Sequence, residues 1–268
     1  MFTSENDKAV RDLPKLLKWT GSLVEFTDKL LAEPIRYSED DHLAFMGLLS
    51  VSQQLQFLKS IRLLVENNLG VSAGLIARAM LESMCSFLWC GLVPKSRPLG
   101  WRAYAYVKDF RLMRQKEARG EIVPKTKKTE ICRGLQKYGN HLLTRTARDA
   151  QQEGHALPQD PYVKQWPSIT VEQMFQQVQA TSLYEHIYRD LSELTHGSVA
   201  AFGASIRRGH HSVEYSAAFS PALSATALAV GFQSLLHSLE LLDTHLRLWK
   251  GQEIVNLKQL YIKTLQAY

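Results

Sequence analysis

Residues 188–198 read YRDLSELTHGS, and they set an arginine, a hydroxyl and a histidine along one helical stripe that stops at a glycine. At 100° per residue, Arg189 and His196 are seven positions apart and fall about 20° short of two full turns, with Cα atoms about 10 Å apart. They share a face, with Ser192 within side-chain reach of both. Side chains lean toward a helix N-terminus, so the imidazole reaches back toward the guanidinium. Two donors can then grip one phosphate. His196 also occupies the last turn, where the negative end of the helix dipole favours imidazolium, which suits a cation or a general acid. A structural reading stands beside this one. Glu185 and Glu193 lie four residues before and after Arg189 and would form an exposed ion-pair ladder worth roughly a few tenths of a kcal/mol per pair.

A helix must hold that stripe, and the sequence marks its ends. Ser182 and Glu185 have the capping-box spacing, and Gly197 suits the left-handed residue that terminates a helix. The spacing therefore predicts a helix over 183–196. Elsewhere apolar residues recur at intervals of three and four and strand signals are scarce, so the reading is all-α. The expected architecture is a multi-helix bundle, one helical domain over 1–268. Its core helices span about 8–93 and 182–266, a basic helical insertion spans about 95–155, and a long central C-terminal helix follows Pro221. The insertion reads as helices over about 98–119 and 128–153, and then an irregular crossing, GHALPQDPYVKQWPSIT. The glycine-punctuated stretch from 197 to 219 reads as irregular.

Charge is uneven. Between Lys95 and Arg148 there are 15 Lys and Arg against four acids, so this segment carries +11 and the remainder −5. Such a field attracts phosphate backbones. Lys127 and Lys128 are candidate strand contacts, as are Arg207 and Arg208 in RRGHH. Trp101, Tyr104, Tyr106, Phe110 and Tyr138 would stack on bases or face the core of a solvated helix pair.

The apolar helix over 69–93 carries Arg78 and Glu82, an i,i+4 pair. Each charge would cost about 2.5 to 3.5 kcal/mol at a bilayer centre, which argues for a core helix and against a membrane span. Buried charges need partners, so Glu82 opposite Arg189, or Arg78 opposite Glu185 or Glu193, would join the two helices. Arg78 is also a candidate phosphate ligand. Cys85, Cys90 and Cys132 fit neither a disulfide framework nor a thiolate metal site. The start, MFTSENDKAVRDLPK, has no basic-then-apolar pattern of a secretory signal, so the expected compartment is the cytoplasm. No GxGxxG or GxxxxGK[ST] phosphate loop is present.

The string RDLSELTH resembles the Rx4-6H motif of the HEPN superfamily, in which a polar residue such as Asp190 follows the arginine. That resemblance implies a helical-bundle, metal-independent ribonuclease of a toxin–antitoxin or phage-defence system, with two protomers facing across a dimer. Residues ARAMLESMCSFLW, WPSITVEQMF and LYEHIYRDLSELTHGS, followed by a long helix, are also similar to an uncharacterised bacterial all-helical family catalogued as a domain of unknown function, over roughly 45–245. On the HEPN reading, His196 handles protons, Arg189 stabilises phosphoryl charge, and Asp190 or Ser192 orients them, with Arg78, Glu82, Lys127, Lys128, Arg207 and Arg208 binding substrate. No cofactor or metal is then required, and the partners are RNA or other nucleic acid, a second copy of the chain, and an antitoxin or other protein.

Two rival readings remain. One is a non-catalytic helical module that binds nucleic acid or protein. The other is a di-metal carboxylate bundle, because Glu193-Leu-Thr-His196 and Glu39-Asp-Asp-His42 share the Glu-x-x-His spacing and Glu82 could bridge them. His237 and Glu240, three apart, are expected to satisfy one another.

Overall fold

The computed structural model describes the backbone of residues 2–196, 206–208, 213–215 and 220–266, and side chains over 11–194 and 220–263. The fold is all-α and multi-helical, and the chain forms two compact units: Met1–Trp89 with Val171–Tyr268, and Cys90–Thr170.

In the first unit, α1 (Phe2–Ala32), α2 (His42–Glu66) and α3 (Gly70–Gly91) precede the excursion into the second unit. After it come α7 (Val171–Gln177), the three-residue α8 (Thr181–Leu183), a π-turn over Tyr184–Tyr188, and α9 (Arg189–His196). The long helices α10 (Pro221–Leu246) and α11 (Gly251–Gln266) complete it.

Helix α10 is the axis of this unit, packing against α1, α2 and α11. Its apolar residues surround most of the helix, and Ala227, Leu228, Phe232, Leu235 and Leu242 are wholly buried. The helices approach closely because Gly231 has no side chain. A Cβ there would lie 2.9 Å from Leu58 Cδ1. Ser220 caps α10 by accepting the Leu223 N–H, with Pro221 at the first helical position, the arrangement that leaves no wasted donor.

Two helices, Gly70–Gly91 and Pro221–Leu246, are long and apolar enough by composition to cross a membrane, and 44% and 61% of their apolar windows are buried within the fold. Both serve as packing helices here. Burial pushes the Cys85 thiol up to about 12, helped by the charge of Glu82, and the Cys90 thiol also up to about 12. These two sulfurs behave as inert core atoms.

The second unit contains α4 (Arg97–Ala118), α5 (Lys125–Tyr138), a 3₁₀ turn over Gly139–Leu142, and α6 (Arg145–Gln152). The helix expected over 128–153 is thus broken. At Gly139-Asn140 the backbone tightens, and Thr144 restarts the helix by accepting the Ala147 N–H at 3.2 Å. The long crossing after α6 is irregular but pinned: Val163 N–H donates to the Leu142 carbonyl and Thr144 N–H to that of Pro161, each at 2.8 Å.

The stretch beyond His196, expected to be irregular, contains an antiparallel pair, β1 (Ile206–Arg208) and β2 (Val213–Tyr215), with Ile206 opposite Tyr215. Ile, Val and Tyr favour pleated backbone, and the connection holds Gly209.

Candidate functional site

Helix α9 is set against α3 by a narrow contact. A Cβ on Gly74 would meet Leu194 Cδ1 at 3.0 Å and Leu191 Cδ2 at 3.4 Å, and Leu191 is 2% exposed. Around the helix, Leu191 sits roughly 200° from Arg189. Burial of Leu191 therefore turns Arg189 outward, and Arg189, Asp190 and Glu193 are exposed while Ser192 is half-buried. The eight residues from Arg189 to His196 are unbroken α-helix, so both Cα positions lie on the outward stripe. The side chains of His196, Arg207 and Arg208 fall outside the described residues.

The residue that fastens this helix is Tyr188, which the sequence reading missed. Its hydroxyl donates to Glu82 Oε2 at 3.1 Å and accepts from Arg78 Nη2 at 3.1 Å. The Arg78 guanidinium also lies over the Tyr188 ring, 5.2 Å from its centroid. Arg78 and Glu82 are themselves 3.9 Å apart. Both charges thus engage α9 through a phenol, whereas pairing with Arg189, Glu185 or Glu193 had been expected. One residue of helical phase explains this: position 188 faces α3 and position 189 does not. Burial raises the Tyr188 phenol above its ordinary range, as does the neighbouring Glu82 charge, against the opposing pull of Arg78.

The π-turn sets that phase. Its wide turn stacks Tyr184 on Tyr188, with centroids 5.4 Å apart, and both rings pack on the fully buried Phe175 of α7. Such insertions recur at functional sites. The Ser182–Glu185 capping box is not formed. The helix begins at Thr181 after Ala180, which offers no side-chain cap, so Ser182 already lies inside the first turn. Trp89 Nε1 donates to Gln177 Oε1 at 2.7 Å, tying the end of α7 to α3.

In the second unit, much of the basic surface is committed internally. Lys127 Nζ lies 3.1 Å from Asp109 and 3.3 Å from Glu130, and Lys128 Nζ 2.6 Å from Glu117. The bond from Lys128 draws the Glu117 carboxyl below its usual range, and the hydrogen bonds that Lys127 donates to Asp109 and Glu130 raise Lys127. Arg111 clamps the crossing loop, donating to Asp160 Oδ2 at 2.8 Å and to the carbonyls of Tyr162 and Val163. Tyr104, Tyr106 and Phe110 pack on the buried cluster of Val107, Ile131, Leu135 and Tyr138. Lys108, Lys125 and Arg133 stand exposed.

Among the described residues no three His, Cys, Asp or Glu side chains gather in a metal-binding group. The expected His237–Glu240 contact is present at 2.8 Å, extended by Lys258 at 2.7 Å. A second pair, His245 Nε2 to Asp41 Oδ1 at 2.8 Å, joins the end of α10 to the α2 cap across a sequence distance that hides it from local reading.

Residues 44–212 match one family. The chain belongs to the family of unknown function DUF5677. No curated protein and no solved structure gives a match. The DUF5677 region runs from the first turns of α2 through the whole second unit to α9 and β1, so it includes Arg78, Glu82, Tyr188 and the Arg189–His196 helix, while α10 follows it.

Proposed function

We propose that the outward stripe of α9 is the phosphate-handling site of a metal-independent ribonuclease. The observation that carries this reading is Arg189: an exposed cation on an unbroken helix whose next-door residue, Tyr188, is locked by Arg78, Glu82, Phe175 and Tyr184. A catalytic cation gains from such a rigid mount, because stabilisation of developing charge depends on placement before reaction.

In the reaction, a 2′-hydroxyl of RNA attacks the adjacent phosphorus and the 5′-oxygen of the next nucleotide leaves. A cyclic phosphate results. His196 moves the proton, Arg189 binds the phosphoryl oxygens, and Asp190 or Ser192 orients them. The protein then acts in the cytoplasm as a homodimer, as a toxin or phage-defence effector held by an antitoxin or other protein partner. The exposed Lys108, Lys125 and Arg133 are better placed to hold a strand than Lys127 and Lys128, which already have partners.

The test is incubation of pure protein with end-labelled RNA in EDTA, wild type beside Arg189→Ala and His196→Ala. Cleavage leaving a cyclic phosphate, lost in both variants, is the expected result. Undiminished cleavage by either variant refutes the site. Binding without any cleavage favours the second reading, a nucleic-acid-binding module, which the +11 segment supports.

A further inference from the structure

Helix α9 lies near the start of α10: a Cβ on Gly70 would sit 2.8 Å from the Ser220 carbonyl, one turn from the Gly74 contact with Leu194. At the other end of α10, about 39 Å away for 26 residues, the chain turns into α11. There an open cavity of about 390 Å³ is lined by Asp243, Thr244, Arg247, Trp249, Gly251 and Gln252.

Two lining residues stand on left-handed backbone, Arg247 at φ 53° and Trp249 at φ 62°. That conformation is strained for side chains with a Cβ, and a turn that only connected two helices would favour glycine or asparagine. Trp249 is also 82% exposed, whereas the other four tryptophans are buried or half-buried. The turn uses the left-handed backbone at 247, where the Asp243 carbonyl accepts the Arg247 and Leu248 N–H groups and the Asp243 carboxylate accepts the Lys250 N–H at 2.9 Å. It requires neither an arginine side chain there nor an indole at 249. A strained cation and a strained, solvent-facing indole flank a cavity whose frame is made by backbone and Asp243, without either side chain.

We propose that this cavity binds one nucleotide, with the base stacked on Trp249 and the phosphate on the Arg247 guanidinium. An indole face accepts any base, and a guanidinium matches phosphate oxygens in a fork. The remaining polar groups sort the bases. Thr244 Oγ1 donates its proton to the Glu240 carbonyl at 2.7 Å, and Gln252 Nε2 donates to Asn256 Oδ1 at 3.0 Å. Thr244 and Asp243 then present acceptors, and Gln252 its Oε1 beside one remaining N–H. Acceptors select an exocyclic amine, so adenine and cytosine should bind better than uracil. The nucleotide can be a free monophosphate or one unit of a single strand.

The experiment titrates the full chain with AMP, adenosine, UMP and a short oligoadenylate while following tryptophan fluorescence, and repeats the titrations by calorimetry for Trp249→Ala and Arg247→Asn. Quenching by AMP or by the oligoadenylate is expected; the one that binds identifies the source. Trp249→Ala should weaken binding roughly 5- to 100-fold, as loss of one base stack does. Arg247→Asn relieves the left-handed strain, so it should keep or raise the unfolding midpoint while making AMP and adenosine bind alike. No saturable binding of AMP or oligoadenylate overturns the site, and unchanged affinity in Trp249→Ala overturns the stacking role. Because the readout is binding and not RNA cleavage, a failure here and a failure at Arg189 are separate results.

Discussion

Replacing Tyr188 by Phe removes one oxygen from the junction of α3 and α9 and nothing else. The ring remains 8% exposed and keeps its packing on Phe175 and Tyr184. Two hydrogen bonds to charged groups disappear, each worth about 1.5–3 kcal/mol where water is excluded. Here the Arg78 and Glu82 side chains are 23% and 47% exposed, so water recovers much of that, more at Glu82 than at Arg78. A net destabilisation of about 1–2 kcal/mol follows. Urea unfolding of the wild type, Tyr188→Phe, Glu82→Gln and the double variant measures it, with a coupling of about 0.5–1.5 kcal/mol between the two sites. A pH series adds a sign. The folded-state phenol titrates above the unfolded one, so its contribution is complete below the ordinary tyrosine value of about 10 and is lost as pH rises through the folded value. Tyr188→Phe should flatten that alkaline decline. Strict additivity, or a loss below about 0.3 kcal/mol, would refute the claim that this hydroxyl mounts the helix.

Other expectations rest on separate contacts. Asp41 accepts the Ala44 N–H at 2.9 Å and pairs with His245; burial pushes its carboxyl up, but these bonds outweigh it and hold it low. Asp41→Ala should cost about 1–3 kcal/mol in urea unfolding, and Asp41→Asn less, because asparagine still caps. Glu240 is drawn down to about 2 by the bond from His237, against burial and with help from Lys258. Its stabilisation is present above the unfolded carboxyl value and lost as pH falls through about 2, and Glu240→Gln should abolish that acid limb in a circular-dichroism titration. Gly231→Val forces a side chain into Leu58 and should cost about 1–3 kcal/mol by the same denaturant measurement. In filter binding, Lys108→Ala with Lys125→Ala should weaken RNA affinity and its salt dependence more than Lys127→Ala with Lys128→Ala.

The helices were legible because burial writes itself into sequence at intervals of three and four. The centrality of α10 followed from apolar residues on most of its sides, and Ser220-Pro221 marked its start. The break at Gly139 was less visible: a lone glycine inside a basic helix is tolerated, and only the Thr144 cap decides it. At the candidate site, the shared face of Arg189 and His196 came from spacing alone, but the direction of that face did not. It depends on Gly74 making room for Leu191 and Leu194, and on a π-turn that has no sequence signature. The same one-residue phase gave Arg78 and Glu82 a tyrosine partner where an ion pair with Arg189 was expected. The Asp41–His245 pair and the Arg247–Trp249 turn were unreadable for a different reason, since one joins distant helices and the other depends on backbone angles that arginine and tryptophan do not advertise.

The bond from Trp89 to Gln177 has an evolutionary reach. It clasps the chain at the points where it departs for Cys90–Thr170 and comes back, and both ends of the clasp belong to the first unit. Closing a detour whose two ends are already held together costs little extra entropy whatever its length. The length of chain between Cys90 and Thr170 can accordingly change at little cost in closure entropy, which leaves that module room to vary over evolutionary time.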